Sequence, residues 1–438
     1  MGSFVPTTPP ERQQMLKTIG VGSVEELFRD VPQEMRIDGY LDLPSGKSEM
    51  ETLESVSALA EKNHVFRTCL RGAGSYRHYI PAAVKAIVNR EEFVTAYTPY
   101  QAEISQGILQ AIFEYQTMLC ELTGMDVSNA CVYDGGTAAA ESITMCRDRK
   151  RTKAYVSATT DPQVIEVMKT YCFGSDVELT VVPQKDGRTD PEALRSLLGQ
   201  DAACFYVQQP NFYGLLEEAE LLGEITHAAG AKYVMGVNPI SLAILKTPAE
   251  CGADVAVGEG QPLGLDTAFG GPYLGFMTAS SAMMRKLPGR IVGQTVDTEG
   301  EIGYVLTLSA REQHIRREKA SSNICSNEQL CAFTAAVYLS AMGEKGLRQA
   351  ATLCTSKAHY FAQQLEEKLG WKRVHPGEFF HEFVTECPDT EKALAALAKR
   401  DILGGLPVEG GILWCVTEVV TKERLDEAVA ILQEVSCG

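Results

Sequence analysis

Short apolar runs alternate with helical patterns between residues 150 and 260, and this alternation constrains the fold more than any other feature of the sequence. Each run is continuously apolar, which is typical of strands buried on both faces of a parallel sheet. The intervening stretches, such as residues 217–227 before Gly230, have the periodicity of amphipathic helices. The sequence therefore predicts an α/β fold whose strands include residues 154–157, 180–183, 204–207, 233–237 and 255–257.

Two regions flank the predicted sheet. Before it, apolar residues recur at helical spacing from residue 104 until Gly124 ends the pattern, so we expect a long helix packed on the core. After it come helical patterns at 328–342 and 347–369, then strand-like segments and a last helix from Lys422. This order predicts a smaller α+β domain at the C-terminal end.

The first 65 residues contain short helical patterns that prolines interrupt, which fits an arm better than an independent domain. A chain of 438 residues is also longer than single hydrophobic cores usually grow. We therefore expect an N-terminal arm at 1–65, a large domain with a mainly parallel sheet at 66–326, and a small α+β domain at 327–438.

Composition narrows the classes of partner. The chain has 40 basic and 57 acidic residues, a formal charge of −17, which disfavours nucleic acid or an anionic membrane as the main partner. The longest apolar stretch, residues 330–342, is too short to span a bilayer.

The 13 cysteines form no Cys-x-x-Cys pair and the histidines lack metal-ligand spacing, so we expect no metal site. With no secretory leader in residues 1–6, we expect a cytoplasmic protein.

The ends of two predicted strands contain groups that could face a ligand. Residues 133–141 run through two glycines into an alanine-rich helix, whose free backbone N–H groups could bind an anion; alternatively, Asp134 simply caps that helix. Asn238 follows the strand at 233–237, where it could point into a cleft or only end the strand. The residues alone leave both alternatives open.

Three further stretches are rich in glycine or in polar and aromatic groups. Residues 258–276 are dense in glycine but contain no lysine, so nothing there can bond covalently to a carbonyl. Residues 97–107 place two tyrosines around a proline, which fits either a pocket wall or aromatic packing with a helix cap near Thr98 or Gln101. Residues 321–327 are rich in hydroxyl and amide groups, suited to a phosphate rim, although Ser326 could instead be a helix N-cap.

Several of these stretches together carry a family resemblance. The sequence resembles the glycine decarboxylases, the P-proteins of the glycine cleavage system, and within them the first subunit of the form that is split into two chains. The resemblance implies the fold shared with aspartate aminotransferase, that is, a pyridoxal phosphate (PLP)-dependent transferase of fold type I. It spans almost the whole chain and is carried by residues 15–20, 26–28, 72–81, 97–107, 258–276, 288–292 and 311–324.

The sequence departs from the catalytic pattern of that family at two positions. Where the family's catalytic subunit has the lysine that forms the Schiff base with PLP, the glycine-rich stretch here places Gln261, whose amide nitrogen is not nucleophilic. The fold has an aspartate that keeps the pyridine nitrogen of PLP protonated. The resemblance places Asn238, which is neutral, at that position. We therefore expect a degenerate coenzyme site, with no coenzyme bound covalently by this chain.

The resemblance also implies the reaction and the partners. A second subunit would carry PLP and decarboxylate glycine, and the aminomethyl group would pass to the lipoyl arm of the H-protein, within a pair of heterodimers. In this fold, active sites lie at subunit interfaces. The residues implied as the wall of the partner's site are Tyr97, Thr98, Tyr100 and Gln101; those implied near the partner's PLP phosphate are Ser322, Asn323 and Ser326.

Three alternatives accompany this interpretation. His78 could face the glycine or lipoyl channel, or it could only support a glycine turn. The chain could be an independent PLP enzyme that uses Lys232 or Lys246, although the fold requires its lysine after the next strand. It could also be a scaffold that docks the H-protein or stabilises its partner without contributing to the pocket.

Overall fold

A computed structural model describes residues 6–37, 39 and 41–436 of the chain, which separates into two compact units, Met1–His64 and Val65–Gly438. The first unit has helices at Pro9–Ile19 and Glu49–Ala60, and short 3-10 helices at Glu25–Phe28 and Gln33–Met35. Thr8 and Ser48 each form a capping box with the glutamate three residues later. Residues 1–5, on which part of the expectation about a leader rests, lie outside the described residues.

The centre of the second unit is a seven-stranded sheet. We number its strands along the chain: β1 Val127–Ser128, β2 Lys153–Ser157, β3 Leu179–Val182, β4 Ala202–Gln209, β5 Lys232–Val237, β6 Val255–Glu259 and β7 Gly275–Ala279.

The spatial order of the strands is β1-β7-β6-β5-β4-β2-β3. Neighbours from β6 through to β3 pair in parallel, whereas β7 pairs antiparallel with both β6 and β1. The predicted mainly parallel sheet is therefore confirmed, and all five predicted strands are present. The sequence did not predict β1, which is only two residues long, or β7, which begins at the end of the glycine-rich stretch.

Successive residues of the central strands belong to two different cores. Along β4, Cys204 and Tyr206 pack into one hydrophobic cluster, and Phe205 and Val207 pack into another. All four side chains are buried. The sheet is thus covered on both faces, which explains why its strands read as unbroken apolar runs.

Helices cover both faces. The long predicted helix is confirmed at Gln106–Thr123, and Gly124 ends it with a φ of 71°, a left-handed conformation that glycine adopts without strain. The other helices before residue 329 are Ala82–Val88, Glu91–Val94, Gly135–Cys146, Pro162–Ser175, Pro191–Leu197, Ala219–Ala228 and Gln313–Arg316, with 3-10 helices at Ala102–Ile104, Ser241–Ala243, Ser281–Lys286, Ser309–Arg311 and Arg317–Lys319.

The C-terminal part begins with a helical segment at Gln329–Leu369, which Gly343 interrupts with non-helical dihedral angles. This break separates the two helices that the sequence predicts. A three-stranded antiparallel sheet follows, and its aromatic residues, including Trp414 and Phe383, pack against Phe361 of the second helix. The strands are Glu382–Thr385, Leu406–Val408 and Gly411–Cys415, and the covering helices are Thr390–Ala398 and Lys422–Ser436.

Three two-stranded pairs complete the fold. Ile291–Val296 and Ile302–Thr307 form an antiparallel hairpin, as do Gln184–Lys185 and Arg188–Thr189 on a smaller scale, and Thr68–Cys69 pairs with Ile402–Leu403. The division into large and small domains at residue 327 stays a prediction. Among the described helices, none is both long and apolar enough to cross a lipid bilayer.

The close spacing of the strands at Gly258 makes a testable prediction. An alanine Cβ there would overlap the Val237 carbonyl oxygen and stand 2.5 Å from the Phe276 ring, so Gly258→Ala should lower the free energy of unfolding by about 2–4 kcal/mol. Gly107→Ala is the control, because its Cβ meets nothing within 4 Å and alanine favours helices. Urea unfolding of both variants checks this. Equal stability of the two would contradict the described packing.

Candidate functional site

A cavity of about 460 Å³ lies at the carboxyl ends of β4, β5 and β6. Its walls include the starts of the helices Gly135–Cys146 and Pro162–Ser175, and the segments 73–76 and 381–382. Ligands of open parallel sheets bind at this edge. We call it the strand-end cavity.

Two carboxylates take up the donors at the start of the helix Gly135–Cys146. The backbone N–H of Thr137 donates to Oδ1 of Asp134 at 2.7 Å, so the predicted helix cap is confirmed. The backbone N–H of Gly135 donates to Oε2 of Glu259 at 3.0 Å. Two of the N–H groups that we considered for an external anion, those of Gly135 and Thr137, therefore already bind carboxylates of this chain.

Glu259 connects three segments of the site. Its Oε1 accepts hydrogen bonds from the backbone N–H groups of Gln261 at 2.8 Å and Leu274 at 3.0 Å, in addition to the bond from Gly135. Removal from bulk water raises the pKa of Glu259 to about 7, and these three donors oppose the rise.

The two positions at which we expect a departure from the family's catalytic pattern follow neighbouring strands. Asn238 follows β5, and Gln261 lies just after β6. The Gln261 side chain is fully buried: its Oε1 accepts from the Tyr76 N–H, and its Nε2 donates to the Tyr76 and Leu265 carbonyl oxygens. Asn238 lines the strand-end cavity, and its Oδ1 accepts from the Ile240 N–H at 2.9 Å. Gln261 is therefore fixed by backbone contacts, while Asn238 both ends its strand and faces the cavity.

Further acidic groups line the cavity. Asp161 caps the helix Pro162–Ser175 through the Gln163 N–H at 2.8 Å, and burial raises its pKa. Glu382 accepts from the Ala73 N–H at 2.7 Å and the Tyr76 hydroxyl at 2.8 Å, and burial raises its pKa to about 7. The lining contains these carboxylates, Asp134 and Glu259, but no lysine or arginine.

His381 also lines the cavity, and sequence reasoning missed it along with Asp161, Glu259 and Glu382. Burial lowers the pKa of His381 to about 3, so the ring is neutral. Of the three acidic residues that were missed, only Glu259 had a sequence signal. It lies inside the glycine-rich stretch, at the end of a predicted strand. The others come from distant parts of the chain.

The predicted wall residues lie on a different surface. Tyr97 and Tyr100 are exposed, as is Gln101, and Thr98 is half-buried. Neither Thr98 nor Gln101 caps the long helix, which begins after Ser105, so the predicted cap is wrong. Gln106 connects this stretch to the hairpin, because its side chain donates to the carbonyl oxygens of both Ala102 and Tyr304.

Arg290 connects the stretch to the second predicted group. Its guanidinium stands 5.7 Å from the centre of the Tyr100 ring and donates to the Ser326 carbonyl oxygen at 2.8 Å, while the Ser326 hydroxyl oxygen accepts from the Arg290 N–H. Ser326 is not a helix N-cap, because the helix begins at Gln329 after Glu328. Sequence reasoning missed Arg290, although its stretch contributed to the resemblance.

Ser322 and Asn323 line a second cavity of about 640 Å³ together with Glu141 and Arg147. Asn323 is exposed, and the Ser322 hydroxyl oxygen accepts from the Ile324 N–H at 3.2 Å. Burial raises the pKa of Glu141 to about 7, against the effect of its hydrogen bond with Ser322. These two predicted residues therefore line a different cavity from the strand-end cavity, and the contacts of Arg290 described above do not include them.

His78 is buried and does not line the strand-end cavity. Its Nδ1 is 2.7 Å from Oε2 of Glu418, and the Cys354 thiol donates to the same oxygen at 3.3 Å. The ligand atoms of these three residues all lie within 4.8 Å of one another, a convergence that sequence spacing did not predict. Hydrogen bonds to the shared oxygen account for this cluster.

Comparison with known proteins fits this architecture. The family model described as "Glycine cleavage system P-protein" matches residues 2–432. The chain belongs to this P-protein family. A relative from Desulfitobacterium hafniense, named "Probable glycine dehydrogenase (decarboxylating) subunit 1", is 47% identical over 99% of this chain and 100% of its own length. A relative of the same name from Carboxydothermus hydrogenoformans is 48% identical over 98% of this chain and 99% of its own length.

Solved structures agree. The crystal structure of an inhibitor-bound glycine decarboxylase (P-protein) of the glycine cleavage system is similar with a TM-score of 0.91 and 42% identity, over 99% of this chain and all of that one. An alanine–glyoxylate aminotransferase from Nostoc sp. has a TM-score of 0.59 at 17% identity, covering 84% of this chain and 95% of that one. The predicted family and the predicted fold type I are both confirmed.

The lining of the strand-end cavity does not fit PLP, the coenzyme that this fold class implies. A phosphate needs backbone donors and cations, but carboxylates hold the N–H groups of Gly135 and Thr137, and the lining contributes only acidic charge. The Gln261 side chain is neutral and bound to the backbone. In this P-protein subunit, the lining of the cavity therefore provides neither the cation nor the lysine that would hold PLP.

The raised pKa of Glu382 predicts a pH-dependent stability. A buried carboxyl with a pKa near 7 stabilises the fold while it is protonated, and that contribution is lost as the pH rises from about 4.5 through 7. Glu382→Gln keeps a neutral side chain at every pH, so its free energy of unfolding relative to wild type should rise between pH 5 and pH 8, by at most on the order of 3 kcal/mol.

Thermal or urea unfolding at both pH values checks this prediction. Glu344→Gln, which removes a carboxylate exposed on a helix, is the control and should shift by similar small amounts at both pH values. A Glu382→Gln effect that is the same at pH 5 and pH 8 would show that Glu382 is not protonated in the folded protein.

Proposed function

We propose that this chain is the subunit without coenzyme in a two-chain glycine decarboxylase, and that its partner subunit binds PLP. The observation that carries the proposal is Gln261, a neutral, backbone-bound amide at the position where the resemblance implies the Schiff-base lysine. The acidic lining of the strand-end cavity supports it, because that lining repels a phosphate. The complex would decarboxylate glycine and transfer the aminomethyl group to the lipoyl arm of the H-protein.

The two alternative lysines support this assignment. Lys232 lies at the start of β5, at the opposite end from the cavity, and pairs with Asp254 at 2.6 Å. Lys246 pairs with Glu220 at 2.8 Å. Neither lines the strand-end cavity, so an independent PLP enzyme would need a lysine from elsewhere in the chain.

An exposed apolar surface supports a partner subunit. Tyr97 is 86% exposed and Tyr100 is 61% exposed, and Ile104 and the hairpin residues Val296 and Ile302 are exposed as well. Val296 and Ile302 are paired in the hairpin, which Gln106 joins to the 97–104 stretch. Exposed apolar patches of this kind mark interaction sites. We infer that this surface packs against the PLP-bearing subunit.

The same surface could contribute to the partner's active site. Arg290 fixes the ring of Tyr100 from one side, and His314 lies at its edge with ring centres 6.1 Å apart. A ring held in this way presents its hydroxyl in a defined direction at low entropic cost. Ser322 and Asn323, which line the second cavity, offer hydroxyl and amide groups for hydrogen bonding to a phosphate of the neighbouring chain. Ser326 is buried, and its hydroxyl oxygen accepts from the Arg290 N–H.

We propose the cytoplasm as the location. The described cysteines are free thiols, and eight of them, such as Cys131 and Cys204, are buried. Buried thiols behave as small apolar side chains, and free thiols persist where the environment is reducing. Cys437 lies outside the described residues.

The first test separates the chains. The isolated chain mixed with PLP should show no imine absorbance near the visible edge and no glycine–bicarbonate exchange, because it has no lysine at the site. Exchange should appear when the second subunit is added. A pyridoxyl group trapped by borohydride on the isolated chain would overturn the assignment.

The second test asks whether this chain contributes to the pocket. Tyr97→Ala and Asn323→Ala should lower kcat of the reconstituted complex by about 10- to 100-fold, because each removes a polar group or wall next to the reacting molecules. Leu197→Ala, which truncates a partly exposed apolar side chain of another helix, should leave turnover unchanged. Size-exclusion chromatography should confirm that each variant still binds its partner. Full turnover in both site variants would indicate a pure scaffold.

A further inference from the structure

Arg290 is held in place through its backbone before its side chain makes any contact. Its carbonyl oxygen accepts from the Ala130 N–H at 2.8 Å, and its own N–H donates to the Ser326 hydroxyl oxygen at 3.0 Å. The carbonyl oxygen of the preceding residue, Gly289, accepts from the Arg311 side chain at 2.6 Å. The point from which the Arg290 side chain extends is therefore fixed from three sides.

The described contacts of the Arg290 guanidinium are with a carbonyl oxygen, a sulfur atom and an aromatic ring, and none is with a carboxylate. Nη1 donates to the Ser326 carbonyl oxygen at 2.8 Å, and Nη2 stands 3.9 Å from the Cys325 sulfur. Only 7% of the residue is exposed. A guanidinium keeps its charge in a folded protein, and a buried charge needs favourable neighbours. The Tyr100 ring, 5.7 Å away, is one of these neighbours.

Tyr100 contrasts with Arg290, because 61% of it is exposed and it lies outside the helices and strands. Its described ring contacts are with the Arg290 guanidinium and with His314, whose ring centre is 6.1 Å from its own. The His314 side chain is itself 46% exposed, so it offers a less rigid support. The direction of the Tyr100 ring therefore depends mainly on Arg290.

Arg151 provides a comparison within the same chain. It is partly buried, and its Nη1 donates to the carbonyl oxygens of Ala202 at 3.1 Å and Ala229 at 3.2 Å. It thus binds backbone carbonyls as Arg290 does, but it is absent from the described cation–π contacts. What distinguishes Arg290 is that its fixed charge meets an exposed tyrosine.

We propose that Arg290 is a positioning residue for glycine decarboxylation, because its guanidinium holds the Tyr100 ring in the direction that completes the active site of the partner subunit. This inference rests on the proposed function, in which Tyr100 belongs to the wall of that site. The same guanidinium binds the Ser326 carbonyl oxygen, so it also connects the wall to the segment 321–327. A change at Arg290 therefore acts on turnover through Tyr100.

The experiment is a double-mutant cycle in the reconstituted complex, with the second subunit in excess so that all of this chain is assembled. The substitutions are Arg290→Gln and Tyr100→Leu, alone and together, and the measurement is kcat for glycine–bicarbonate exchange. Arg290→Gln should lower kcat about 3- to 30-fold, the range that corresponds to cation–π energies. In the Tyr100→Leu background, it should lower kcat by less than about twofold, because the ring that it orients is absent.

Arg290→Lys tests the orientation of the ring with the charge retained. An ammonium group keeps an attraction to the ring but lacks the planar fork that also reaches Ser326, so this variant should lose less turnover than Arg290→Gln. That difference should disappear in the Tyr100→Leu background. If Arg290→Gln does not fold, as judged by circular dichroism, the effect of Arg290→Lys in the two backgrounds decides in its place.

Arg151→Gln is the matched control, because it removes a guanidinium that binds two backbone carbonyls far from Tyr100 in the sequence. It should leave kcat of the assembled complex unchanged. A loss of kcat equal to that of Arg290→Gln would assign the effect to weakened packing in general and would overturn the inference.

Two further results separate this inference from the proposed function. If Tyr100→Leu lowers kcat but Arg290→Gln has the same effect in both backgrounds, Arg290 does not act through Tyr100. The inference is then wrong, and Tyr100 stays part of the wall. If Tyr100→Leu keeps full kcat, Tyr100 is not part of the wall, which contradicts both the inference and that part of the proposed function.

Discussion

The carboxylate of Glu259 holds the centre of this molecule together. It accepts hydrogen bonds from the start of the helix Gly135–Cys146, from its own turn at Gln261 and from Leu274, just before β7. A carboxylate at a helix start is favourable because of the helix dipole, but its removal from water raises its pKa to about 7. The same contacts that close the strand end therefore also occupy the Gly135 N–H, one of the helix-start donors that could otherwise bind a phosphate.

The strands of the sheet could be predicted because both faces are covered, which leaves a continuous apolar signal at residues such as 204–207. The two ends of helical patterns at Gly124 and Gly343 were also recoverable, because glycine adopts the positive φ values found there, 71° and 57°, without strain. β1 and β7 lacked such a signal. Their antiparallel pairing depends on contacts between residues 127–128 and 275–279, which are far apart in sequence.

The candidate site was only partly predictable, for a similar reason. Gln261 and Asn238 could be singled out because each lies near a strand end, at a position where the resemblance implies another residue type. Asp161, Glu382 and His381 could not be found in this way, because they come together only when residues 161 and 381–382 fold around one cavity. Arg290 shows the same limit on the outer surface: only the fold brings its guanidinium between Tyr100 and Ser326.

These contacts bear on the proposal that Gln261 stands in place of a Schiff-base lysine. A lysine at position 261 would lose the three hydrogen bonds that Gln261 makes with Tyr76 and Leu265. The side chain at position 261 is fully buried, and burial disfavours the charged form of a lysine placed there. The Gly135 and Thr137 N–H groups would also still bind carboxylates. Under that proposal, a single replacement at position 261 would not supply a coenzyme site, because the surrounding hydrogen bonds would also have to change.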